Sequence, residues 1–242
     1  MEAAPAVLVA NLLGDASVDL AVRFGVALLW FLSLRVRDVV SDSVSSPNLD
    51  FTLLWSDVSL QDDGVLRLTL RRSKSDPTNA GSNHYLLPET GQLCPVRLFR
   101  EYRGVARQRR WPLQSPLLRR VCNDRYVTRS HIATALKHHA TLLGLDDKRY
   151  STHSCRIGSA TVMIAKGLSM ADVMLQGRWQ SEKSAGKYLR LNSERATRMQ
   201  SALSLEGAAS TEAAVQPFPN TTSGVLSLRP SHRLHQAEPS FV

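Results

Sequence analysis

Cysteine is scarce in this 242-residue chain: Cys94, Cys122 and Cys155 stand far apart and form no C-x-x-C spacing. That excludes a disulfide framework and a cysteine-based zinc site, and favours a reducing compartment. Long apolar runs are missing too. The most apolar stretch, Phe24 to Leu34, is 11 residues held between Arg23 and Arg35, whereas a bilayer span needs roughly 20. It reads as a buried core helix, and Met1-Glu2 opens acidic where a secretory signal opens basic. The expectation is an intracellular chain with no membrane partner. Carboxylates are in deficit, 21 against 30 Lys plus Arg, for a net charge of +9 and a pI near 9.9. A polyanion, most simply nucleic acid, is the first partner this balance suggests.

What is present is enough to fold: 43% of the residues are hydrophobic. Composition changes near residue 205, after which Pro217, Pro219, Pro230 and Pro239 punctuate a polar stretch with no apolar periodicity. Residues 206–242 therefore read as a disordered tail. The tail holds two Arg and three Glu, which leaves +10 on residues 1–205, so the basic character belongs to the folded part.

The folded part reads as mainly α with a small antiparallel β-sheet. Ser17 can cap a helix through Val18, Ala21, Phe24, Leu28 and Phe31. Pro95 starts a second, to about Arg110, with Leu98, Tyr102 and Ala106 on one face. Thr128 or Ser130 opens a third through Ile132 and Leu136. Helices also fit 153–166, 169–176 and 181–190, with Ser169 and Ser181 as caps. Leu66, Leu68 and Leu70 alternate with Arg67, Thr69 and Arg71, a strand with one apolar and one basic face. Asp62-Asp63-Gly64 turns the chain before it, Asp76-Pro77 and Asn79-Ala80-Gly81 turn it after, and Tyr85-Leu86-Leu87 pairs back, leaving Lys74 near a hairpin tip.

The chemistry concentrates in Thr152-His153-Ser154-Cys155-Arg156, Gly177-Arg178-Trp179 and Lys187-Tyr188-Leu189-Arg190. His153 and Arg156 stand three apart at a helix start, where a guanidinium fork beside an imidazole suits a phosphodiester. Trp179 and Tyr188 are nine apart, on opposite faces of one continuous helix; they converge only if Trp179 precedes the helix that Ser181 caps. An ordinary aromatic core pair is the plainer alternative. Arginines in 97–110 and 119–129 add a basic surface, which also fits a solvated helix face. His131, His138 and His139 have no carboxylate at ligand spacing and read as solvated or core histidines, so no metal site is expected.

These segments together resemble the catalytic domain of the tyrosine recombinase (phage integrase) family, in its Cre-like tryptophan variant. The family's first arginine matches Arg35 in Ser33-Leu34-Arg35-Val36-Arg37-Asp38, and its hairpin lysine matches Lys74. The His-x-x-Arg box matches His153 and Arg156, the His/Trp position matches Trp179, and the nucleophile matches Tyr188. The six occur in family order. The resemblance implies attack of Tyr188 on a phosphodiester of double-stranded DNA to give a 3′-phosphotyrosyl link, with no metal, ATP or other cofactor. Arg35 and Arg156 would clamp the non-bridging oxygens, Lys74 would protonate the leaving 5′-oxygen, and His153 would assist proton transfer. Trp179 would pack and donate its indole N–H to the phosphate, while Asp38 would orient the cluster around Arg35 and His153. Arg71, Arg72, Arg178 and Arg190 are expected to touch DNA, and self-assembly into a tetrameric synapse is implied.

Two departures are mild, Ser33 for Gly and Asp38 for Glu. A third is larger. Only 34 residues precede Arg35, too few for the helical clamp domain that family members carry N-terminally, so a fragment or a clamp supplied by a partner is expected. A non-cleaving DNA-binding relic of a mobile element and a type IB topoisomerase-like enzyme are the rival readings.

Overall fold

The computed structural model describes residues 4–72, 80–88 and 93–186. Its helices are α1 (Ala4–Gly14), α2 (Leu20–Phe31), α3 (Pro95–Gln108), α4 (Arg129–Leu142), α5 (Thr152–Ala165), α6 (Met170–Gly177) and α7 (Glu182–Gly186). Three strands, β1 (Val58–Leu60), β2 (Leu66–Leu70) and β3 (Ser82–Leu86), form one antiparallel sheet in the order β1-β2-β3. The architecture is mainly α with a small antiparallel sheet. The chain divides into a unit of residues 1–198 and a second of 199–242; the second, with the expected tail 206–242, lies outside the described residues.

Helix α2 is the hub, packing against α1, α3, α4 and α5. Its residues Phe24 and Val26 to Leu29 are fully buried, as a helix apolar on every side must be. Each such large side chain withdrawn from water contributes about 1.5–3 kcal/mol. The helix is capped by Asp19, whose Oδ1 accepts from Ala21 N at 3.0 Å, and not by Ser17. Ser17 N instead donates to Asp15 Oδ1 at 2.8 Å, so Ser17 belongs to the bend between α1 and α2. Helix α1 has no counterpart among the expected elements; Leu8, Val9, Leu12 and Leu13 bury it against its neighbours.

The sheet follows the alternation in the sequence. Leu66, Leu68 and Leu70 are buried while Arg67 is exposed, and β2 pairs with β3 from Leu66↔Leu86 to Leu70↔Ser82. The sheet joins the helices through an aromatic cluster, in which Trp55 stacks on Tyr102 of α3 at 5.2 Å and Phe24 of α2 lies 6.0 Å from Tyr102. Helix α4 is capped by Thr128 with His131 in a reciprocal capping box, and α6 by Ser169 with Asp172. His139 is buried against Asn11 Oδ1 at 2.8 Å, a core histidine joining α4 to α1. No helix among the described residues is long and apolar enough to cross a membrane.

Candidate active site

Helix α2 stops at Phe31, and Ser33 turns the chain with φ 48°. A left-handed residue that is not glycine carries local strain; here the buried Ser33 hydroxyl bonds the Ser159 hydroxyl of α5 at 2.6 Å. The reversal delivers Arg35 in extended conformation to the start of a 3-10 turn, Val36–Asp38, closed by Asp38 N donating to Arg35 O at 2.9 Å. Arg35 thus projects from a stiff corner.

His153 is set by helix capping. Ser151 Oγ accepts from His153 N at 3.2 Å, and Ser154 Oγ accepts from Ser151 N at 3.0 Å. The imidazole is held in the first turn of α5, where the helix amides favour an anion. Arg156, one turn on, is only 2% exposed. Its guanidinium donates to Ser33 O, and to Gly177 O at 2.5 Å, and its Cζ lies over the Trp179 ring, 4.0 Å from the centroid. Trp179 itself is buried and precedes α7, the order that the Ser181 cap implied.

Arg35, His153 and Arg156 line one open cleft of about 900 Å³. Arg37 and Arg129 line it as well, against Asp42 as the carboxylate among its described lining residues. The cleft is therefore strongly cationic. His153 is held below the usual histidine range, first by the crowding around its ring and then by the charges of Arg156, Arg129 and Arg35. The imidazole is therefore neutral at pH 7 and able to accept a proton, as a weaker base than an ordinary histidine.

Three of the expected residues have partners inside the protein. Asp38 Oδ2 receives Arg178 Nη2 at 2.6 Å, with side-chain exposures of 4% and 13%. Arg178 thus commits part of its guanidinium to a largely buried ion pair. Arg71, with its side chain 37% exposed, donates to Asp57 Oδ2 at 3.0 Å, Leu49 O at 2.7 Å and Thr52 O at 2.8 Å, and so anchors the loop before β1. Arg72 is exposed, with its guanidinium 5.9 Å from the Phe51 ring centroid. Lys74, Tyr188 and Arg190 lie outside the described residues. Arg129, expected only as part of a diffuse basic surface, opens α4 directly onto the cleft. The Thr128 cap in the sequence marks it as a first-turn residue, yet which helix starts meet is decided by tertiary packing.

No protein-family model matches the sequence. The chain is 26% identical over 138 residues to the integrase/recombinase xerD homolog of Selenomonas ruminantium, covering 56% of this chain and 40% of that protein. Among solved structures, XerA recombinase superposes with a TM-score of 0.58 at 19% identity, over 81% of this chain and 63% of that one. The post-cleavage complex of XerH site-specific recombinase with a palindromic difH substrate also gives 0.58, at 14% identity, over 81% and 51%. The chain thus spans well under two thirds of the curated relative. It has the fold of a tyrosine recombinase catalytic domain, and the curated protein it resembles in sequence is an integrase/recombinase.

Proposed function

We propose that this chain breaks and rejoins double-stranded DNA by tyrosine-recombinase chemistry, without a metal or ATP. The observation that carries the reading is the convergence of Arg35, His153 and Arg156 on one cationic cleft, with Trp179 stacked behind Arg156. A phosphodiester entering the cleft meets two arginines and the first turn of α5. Arg35 binds its non-bridging oxygens, and Arg156, locked by two backbone carbonyls and an indole face, presents charge without reorganising. Stabilisation of the phosphorane by fixed donors is the largest contribution such a site makes. The phenol of Tyr188 attacks phosphorus and gives its proton to neutral His153. The bond from phosphorus to the 5′-oxygen breaks, and Lys74 protonates that oxygen. The ester bond energy is kept in the phosphotyrosyl link, so the reverse attack by a 5′-hydroxyl reseals the strand. Assembly of several copies on DNA belongs to the same reading.

The test is covalent capture on a pool of nicked duplexes with randomised cores, followed by denaturing electrophoresis. The wild-type chain forms a protein–DNA adduct and Tyr188→Phe forms none, while its DNA affinity stays within about twofold, because one phenol oxygen contributes little to phosphate binding. An adduct in Tyr188→Phe means another nucleophile. Binding with no wild-type adduct means a relic, and relaxation of supercoiled plasmid with no recombinant product means a topoisomerase.

A further inference from the structure

We propose that Arg178 is a positioning residue, which holds the turn bearing Arg35 in register with Trp179 through its buried ion pair with Asp38. The inference deepens the recombinase reading and rests on it for its catalytic consequence. Arg178 occupies the left-handed position that ends α6, with φ 54° and ψ 48°, where glycine is the ordinary choice. Glycine is present one residue earlier, where any side chain must displace the Trp179 ring. A Cβ on Gly177 would come within 1.9 Å of Trp179 Cζ3. A bulky, charged residue occupies a position whose backbone favours glycine, and its side chain is engaged in the fold.

That engagement is visible in what the side chain joins. The guanidinium reaches Asp38, which closes the 3-10 turn on Arg35 O. Arg156 joins the same two segments, at Ser33 O and Gly177 O. Two arginines thus cross-link residues 33–38 with residues 177–179 in parallel. Arg156 lines the cleft, whereas Arg178 and Asp38 are not among its described lining residues. His84 of β3 is buried close enough to feel the charge of Arg178. With the Asp38 bridge gone, residues 35–38 lose their ion pair to α6, and the described ties nearby, Arg156 to Ser33 O and Gln176 Nε2 to Phe31 O at 2.8 Å, hold the chain before Arg35. A displacement of about 1 Å at a reacting centre costs roughly a hundredfold in rate.

The experiment compares the full-length wild type with Arg178→Gly, Arg178→Lys and the double variant Arg178→Gly/Asp38→Asn. The first readout is amide hydrogen exchange at Asp38 to Val40, which needs no catalysis. Arg178→Gly relieves backbone strain at its own site, so faster exchange there is not expected; faster exchange 140 positions away is, and Arg178→Lys partly restores protection. The second readout pairs adduct formation on the nicked randomised-core pool with anisotropy on a 30-base-pair duplex. Adduct formation slows by about ten- to a hundredfold, affinity stays within about twofold, and the salt dependence of binding is unchanged. The double variant is no slower than Arg178→Gly. Unchanged exchange at 38–40 overturns the bridge whether or not DNA is cut. A salt slope reduced by about one, with the rate intact, overturns it in favour of a phosphate contact. A wild type that shows the exchange coupling but no adduct sinks the recombinase reading and the catalytic consequence, and leaves the bridge standing.

Discussion

The guanidinium of Arg156 stacks on the indole of Trp179 at 4.0 Å while its N–H groups hold Ser33 O and Gly177 O. One side chain therefore ties α5 to the end of α2 and to the end of α6. Arg156→Ala removes phosphate stabilisation and also strands two buried carbonyls, at about 1–3 kcal/mol each. Arg156→Ala is expected to lose both adduct formation and stability, the latter seen as a lower urea midpoint. Arg156→Lys keeps a charge but loses the fork and the stacked face, and falls between. If Arg156→Ala unfolds at the wild-type midpoint, these hydrogen bonds are not made in solution.

Gly177 gives a sharper probe of the same contact, because it has no side chain and is not among the described lining residues of the cleft. Its missing Cβ is what lets the Trp179 ring lie against the end of α6. Gly177→Ala must push the ring away from Arg156, and overpacking of this kind costs typically 1–3 kcal/mol. The measurement is urea denaturation alongside the rate of covalent capture. Both fall, and an additional Trp179→Leu exchange recovers stability without recovering rate. Wild-type behaviour of Gly177→Ala would place the indole elsewhere.

Tyr102 tests the frame that holds the sheet against the helices. Its ring is fully buried, and its hydroxyl lies 2.9 Å from Leu117 O and 2.8 Å from Arg119 O while accepting from Arg119 N at 2.6 Å. Burial pushes the phenol far above its usual range, so it stays a neutral donor. Tyr102→Phe leaves these backbone groups unsatisfied and is expected to cost about 1–3 kcal/mol. DNA affinity at saturating folded protein is unchanged, since the hydroxyl is remote from the cleft. A loss below about 0.5 kcal/mol would mean that water replaces the hydroxyl.

How far the sequence reaches is plain from these residues. The alternation of Leu66, Leu68 and Leu70, the Pro95 start of α3 and the Thr128 and Ser169 caps are local signals, and the helices and strands follow them closely. The spacing of His153 and Arg156 and the Ser181 cap before Tyr188 likewise carry local information. Helix α1 is different: it is apolar on nearly every side, so no period distinguishes it. The partners of Arg178 and Arg156 are further out of reach, because Asp38 and Ser33 lie more than 120 positions away and no spacing rule pairs them. A charged residue next to a suspected active site reads as a ligand contact until its burial is known. Charge alone marks Arg71 and Arg178 as candidates; that Arg71 also bonds Asp57 and two carbonyls, and Arg178 bonds Asp38, is visible only in the fold.

His153 carries a pH signature in catalysis. With its pKa held below the usual value of 6.5 by crowding and by three arginines, it stays neutral through neutral pH and loses its accepting nitrogen only in more acidic solution. The rate of adduct formation under single-turnover conditions is expected to be level at pH 7 and to fall on an acid limb lying below 6.5. His153→Gln removes that limb and slows the plateau by about 10²–10⁴, the usual worth of a positioned acid–base group. An acid limb centred above 6.5 would mean that a bound phosphate, not the arginines, dominates the field at the ring.

His84 carries the corresponding signature in stability. It is buried on β3 with its Nε2 3.1 Å from the Ser82 hydroxyl, and burial, followed by the charge of Arg178, pushes its pKa down to about 4. Between about pH 4 and 6.5 the unfolded chain binds a proton at this residue that the folded chain refuses. Unfolding therefore gains free energy as pH falls through that window, and stability is fully present above 6.5, declining toward 4. A shift of this size corresponds to ~3 kcal/mol at most, and solvent reaching the ring edge reduces it. Urea titrations at pH 7 and pH 4.5 measure the slope; His84→Gln, which keeps a hydrogen-bonding group but cannot ionise, is expected to flatten it while lowering stability at pH 7 only modestly. Because Arg178 contributes to the depression, Arg178→Gly should shrink the same slope without abolishing it, desolvation being the larger cause. Identical slopes in wild type and His84→Gln would assign the acid sensitivity to other groups and leave His84 as a packed neutral ring.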